Sequence, residues 1–181
     1  MAGKRPAMYA STVNGRGRQV VVAEVMLRDP ERVVAELAGE VRERQLARHP
    51  LLVAHRWAIE PAAAELAAER ADPEGVARLR ELATDLEASH DGPYQPLDAR
   101  FHLAVADLAC APSLAAAVAE AQARVAEVIA HIQPMPAALR HSDAQHRALI
   151  DAIERGDRPA ARGIMGEHIS ATANLLRGFL I

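Results

Sequence analysis

The residues best suited to chemistry begin at Asp98-Ala-Arg-Phe-His102. On a helix, a four-residue step stacks two side chains on one face. Val105 and Ala109 continue that row, so the carboxylate and the imidazole point toward a core. His146 is in line with Leu139, Leu149, Ile150 and Ile153, and His168 with Ala161, Ile164, Met165 and Leu175. Such groups are costly to bury unless they are paired or bound to metal. One carboxylate and three imidazoles are the donor types of a zinc, nickel, iron or manganese site. Taken singly, each histidine reads as a core residue hydrogen-bonded to a carbonyl. Four positions that all obey the inward rule favour a ligand set. The remaining histidines act as controls: His131 and His141 fall off the apolar rows of their helices, and His49 sits beside Pro50.

Arg56 also lies on an inward row, four residues after Leu52, with Glu60 one turn later. A buried arginine needs an anionic partner. Glu60 is the local candidate, and a bound acid is the functional one.

These positions need helices to hold them, and the punctuation supplies them. Asp29-Pro30 and Asp72-Pro73 each place an N-cap before a proline at the first helical position. The spacing predicts helices over about 30–49, 51–70, 73–89, a stretch around Asp98 and His102 ending before Pro112, 113–132, 137–154 and 157–177. Pro61 should kink or restart the second of these. Gly156 should close the sixth, and Asp157 should cap the seventh. Residues 29–181 thus read as an all-α antiparallel bundle of six to seven helices.

Residues 1–28 differ. Lys4, Arg5, Arg16 and Arg18 precede the first acid, Glu24. Asn14-Gly15 and Gly17 mark a tight turn, and Val20, Val21 and Val22 favour a strand. This is a short β-hairpin with a basic tip, or else a basic tail.

Of 181 residues, 50% are hydrophobic but only 3% aromatic, a stock of small aliphatics that suits close helix packing. A chain of this length can bury roughly 70% of its unfolded surface without disulfide staples. The lone Cys110 cannot form an internal bridge, which fits a reducing cytoplasm. No apolar run approaches the roughly 20 residues of a membrane span, and nothing resembles a signal peptide. A net charge of −3 gives no general attraction to nucleic acid.

From residue 29 onward the chain resembles the C-terminal sensor (FCD) domain of FadR-type regulators in the GntR family. The resemblance is carried by Arg56-x-x-x-Glu60, Ala67-Ala68, Asp98-x-x-Phe101-His102, Gln145-His146-x-x-Leu149-Ile150-x-Ala152-Ile153, and Gly156-Asp157 with Ala161, Met165 and His168. It implies a helical bundle that holds a divalent metal ion (zinc first, or nickel, manganese or iron) through Asp98, His102, His146 and His168. It further implies a small carboxylate or hydroxy-acid effector near Arg56, and a homodimer. Two departures stand out. Ala111 occupies a position where the family usually has Asn. The winged helix-turn-helix that normally precedes the sensor is represented only by residues resembling its final wing, Asn14 to Arg18 and the valines.

Two other functions compete with a regulator's sensor domain. Glu87-x-x-His90 and Asp143-x-x-His146 resemble the carboxylate–histidine pairs of di-metal helical enzymes, but Glu87 and His90 abut the Asp91-Gly92-Pro93 break. A metal-free interaction bundle is the other alternative. On the regulator reading, DNA is reached only through a winged-helix domain absent from this sequence. Phosphate contacts position a protein, whereas base-edge contacts specify sequence. The chain alone should therefore bind DNA weakly and without preference, losing affinity between low and physiological salt. Anisotropy titrations against random and genomic fragments at two salt concentrations test this. A selective complex that survives physiological salt would refute it.

Overall fold

The computed structural model describes residues 13–14, 17–18, 51–129 and 135–178. Within the compact unit Met1–Gln45, strands β1 (Val13–Asn14) and β2 (Gly17–Arg18) pair antiparallel. Val13 faces Arg18 and Asn14 faces Gly17. The valines at 20–22 and the helix expected over 29–49 lie outside the described residues.

The second unit, Leu46–Ile181, is a helical bundle. Its described elements are α1 (51–70), α2 (Pro73–Ala88), α3 (Tyr94–Leu108), α4 (Pro112–Ile129), α5 (Pro136–Glu154) and α6 (Arg158–Gly178). The helix α2 packs on α3 and α5, α3 on α4, and α5 on α6.

Local chemistry sets the boundaries. The Asp72 carboxylate accepts a 2.7 Å hydrogen bond from the Gly75 N–H, and Pro73 occupies the first turn of α2. This satisfies one of the amide donors left free at a helix start. Between α5 and α6, Gly156 adopts φ +66°, a left-handed conformation that glycine adopts without steric cost. Its N–H reaches the Ile153 carbonyl at 3.0 Å, and the Asp157 N–H reaches the Ala152 carbonyl at 2.9 Å. These are the paired bonds of a Schellman turn. Asp157 then accepts from the Ala160 N–H at 3.1 Å and starts α6.

Of the two outcomes expected at Pro61, a kink or a restart, the restart is corrected. The helix α1 continues through Pro61 without a break in its helical residues. Proline removes one amide donor and so costs one intrahelical bond, to the Trp57 carbonyl. The Pro61 ring is buried, and the turns on either side hold.

Small residues form much of the core. Ala64, Ala67, Ala106, Ala152 and Ala161 are fully buried beside Leu79, Leu86 and Phe101. Alanine side chains let helix axes approach closely. That approach brings polar groups on different helices within reach of one another. Among the described residues, no helix is long and apolar enough to cross a membrane.

The Asp72 cap gives a direct test. Asp72→Ala should lower the unfolding free energy by about 1 kcal/mol, read as a lower urea midpoint at unchanged slope. A midpoint equal to that of the parent protein would mean that the cap contributes nothing.

Candidate metal centre

Asp98 and His102 come from α3, His146 from α5 and His168 from α6. One donor atom from each lies within 4.8 Å of the others. That is close to the roughly 4 Å that separates opposite ligands at metal–donor bonds of about 2.1 Å. The His102 ring lies 5.7 Å from that of His146 and 5.1 Å from that of His168, and the latter two are 4.7 Å apart. Asp98 Oδ1 is 3.4 Å from His146 Nε2, and Asp98 Oδ2 is 3.7 Å from His102 Nε2.

All three histidines are buried, and Asp98 is the partly exposed member of the set. Burial pushes the pKa of both His146 and His168 well below the ordinary 6.5. Both are therefore neutral imidazoles with a lone pair to donate at physiological pH. Burial also raises Asp98, although the charges of His102 and Arg56 oppose the shift. Neither ring nitrogen of His102 or His146 makes a hydrogen bond among the described residues. Buried polar atoms without partners are rare, and an ion among them would satisfy the inward-facing ones.

Surrounding groups fix the rings. The Gln145 amide oxygen sits 3.1 Å from His168 Nδ1, which leaves Nε2 as the donor. Glu60 Oε2 lies 2.6 Å from His102 Nδ1, a close contact off the line of a good hydrogen bond. Glu60 in turn accepts from Arg56 Nε and, at 3.2 Å, from Arg56 Nη2. Gln122 on α4 donates to the same carboxylate at 3.3 Å. Burial alone would raise the Glu60 pKa, but His102 and Arg56 together hold it down to about 2.

A cavity of about 610 Å³ opens beside the cluster. Asp98, His168 and Arg56 are in its wall, whereas His102 and His146 are not.

Residues 51–171, about two thirds of the chain, match the FCD domain family. The chain belongs to the FCD domain family. Among solved structures, Streptococcus agalactiae GntR is similar to it, with a TM-score of 0.63 and 24% identity. The alignment covers 74% of this chain and 60% of that one, so the chain spans less than two thirds of that protein. No curated protein matches it.

The FCD domain brings together all four residues that the sequence reading grouped, and His141, a control, is exposed. His49 and His131 lie outside the described residues. Arg56 is only 4% exposed and lines the cavity, but its partner within the chain is Glu60. Asp143 does not join the cluster: it meets His90 Nε2 at 2.6 Å and accepts from the Tyr94 hydroxyl at 3.0 Å. Glu87 is exposed and pairs with Arg147 at 2.6 Å. Ala111 packs on an apolar cluster with Ala63, Ala106, Ala109 and Val118, and is not part of the cavity wall.

Sequence reasoning missed three supporting residues: Glu60 as the neighbour of His102, Gln145 as that of His168, and Asp143 as the joint between His90 and Tyr94. Glu60 carried a signal as the acid one turn after the inward Arg56, and Gln145 as a polar residue beside a ligand candidate on the same helix; the joint made by Asp143 carried none.

Removing Glu60 strands the buried Arg56 charge. Glu60→Ala should cost about 3–5 kcal/mol of stability, and the double change Arg56→Met, Glu60→Leu should cost much less. Equal losses in chemical denaturation would contradict the pairing. The same carboxylate makes the fold acid-sensitive. Its pKa is about 2 in the fold against an ordinary 4.5. Its contribution is therefore complete above about pH 4.5 and fades as pH falls toward 2.

Proposed function

We propose that this chain is the metal-containing sensor of a FadR-type transcriptional regulator, responding to a small organic acid. A divalent ion would be held by Asp98, His102, His146 and His168. The observation that supports this best is the convergence of four donor atoms from three helices, with the His146 ring making no hydrogen bond among the described residues. Three nitrogens and one oxygen suit zinc, and also nickel, manganese or iron.

The ion would supply a coordination position for an acid's oxygen. This chain's own residues do the rest. Gln145 and Glu60 orient the rings, and neutral His146 and His168 offer lone pairs. Arg56 stands in the cavity wall with two of its five N–H donors engaged by Glu60. A planar guanidinium suits the far oxygens of a carboxylate. Donors on α3, α5 and α6 link occupancy of the site to the packing of those helices. A ligand that prefers one packing shifts the population toward it.

Family membership supports the regulatory role, and with it a homodimer that reaches DNA through a winged-helix domain. Residues 1–28 would then be the end of that domain's wing, and 29–181 the sensor.

Elemental analysis of protein purified without added metal or a metal-binding tag should find about one divalent ion per chain. His168→Ala should lose it and His141→Ala should keep it, and chelation should lower the melting temperature. Equal metal content in the two variants would eliminate the assignment.

A further inference from the structure

The cavity beside the four donors is larger and more apolar than a small acid's headgroup requires. We infer that its ligand is a monocarboxylate carrying an apolar tail, rather than a polyacid. This rests on the reading that an acid's head sits at Arg56 and a bound ion.

Three observations carry it. At about 610 Å³ the cavity falls in the range of roughly 300–1,000 Å³ that holds drug-sized ligands. Beyond Asp98 and His168 its wall continues through Val125, Ile129 and Leu139, with Pro93 just before α3 and Pro96 in its first turn. That surface offers a tail hydrophobic contact, and the polar groups among it, such as Gln95, Ser142 and Thr172, are neutral and offer a second charge hydrogen bonds but no counter-charge.

The charges point the same way. Among the described residues, Arg56 is the one permanent cation in the wall, and it is already paired with Glu60. A divalent ion and Arg56, set against Asp98 and Glu60, leave at most one unit of positive charge. One carboxylate neutralises it. A second carboxylate would lie in a mainly apolar cavity with Asp98 nearby and no permanent cation left to pair with, which is costly. Besides His168, His141 at the exposed rim is the one other basic side chain among the described residues of the wall. Asp143, held by His90 and Tyr94 next to the cavity, adds no positive charge.

The test uses the full chain loaded with metal and isothermal titration with acetate, butyrate, hexanoate and octanoate. Adipate and suberate serve as matched diacids. Affinity should rise about fourfold per methylene until the tail fills the apolar wall. Hexanoate should bind at least tenfold more tightly than adipate, and octanoate than suberate. Ile129→Asn, at a partly buried position, should flatten the ladder while leaving acetate unchanged. A flat ladder, or diacids that bind as tightly as monoacids, would overturn the inference. Metal content of the same sample reports separately on the metal reading. Metal-loaded protein with a flat ladder refutes this inference alone. Metal-free protein that still shows the ladder keeps the apolar-tail ligand, with Arg56 alone holding its head, and removes the metal and the charge count built on it. Metal-free protein that binds none of the acids refutes both.

Discussion

The charge on Glu60 is the constraint around which the bundle's polar interior is arranged. A carboxylate 1% exposed survives ionised only if its neighbours replace the water it has lost. Arg56 does so from one turn earlier on α1, Gln122 from α4, and His102 from α3. Three helices are therefore tied to one side chain. The tie sets the position of Arg56 in the cavity wall and of His102 in the donor cluster together. Neither can move without disturbing the other through the shared carboxylate. Burying an ion pair is weak evidence for stability as such. Here its effect is geometric, because it joins the wall of the cavity to the donors beside it.

The apolar core makes this arrangement possible by being small. Side chains such as Ala64, Ala67, Ala106 and Ala161 take up little room between helices. Three imidazoles from different helices can then come within 4.7–5.7 Å of one another. Phe101 packs against one of them, its ring 4.3 Å from that of His146. Larger residues at the alanine positions would separate the helices and scatter the donors, since packed interiors absorb extra volume by shifting backbone.

The helical bundle and the grouping of four polar side chains were legible because each obeys a local rule. Asp98, His102, His146 and His168 sit on helical rows of apolar residues, and helical period is what a sequence displays most clearly. The capping residues Asp72, Gly156 and Asp157 announce their turns in the same local way. What was illegible is tertiary. Gln122 meets Glu60 across 62 residues, and no spacing encodes that contact. Asp143 stands three residues before His146 and so looked like its partner. Instead it faces His90 and Tyr94, from the end of α2 and the start of α3. At Pro61 a strong local signal for restarting the helix was outweighed, because the turns on either side of the buried ring stay helical.

The cluster is lopsided with respect to solvent. Asp98 and His168 form part of the cavity wall, whereas His102 and His146 lie behind it. On the reading proposed above, an ion would come through the same doorway as the acid, meeting the outer pair of donors before the inner pair. Leaving reverses that order, so whatever fills the cavity also stoppers the ion. Exchange of metal would then be slowest when the sensor is saturated and fastest when it is empty. The protein's hold on its ion would thus be a matter of traffic as well as affinity, with the ligand acting as gatekeeper to a site it only partly touches.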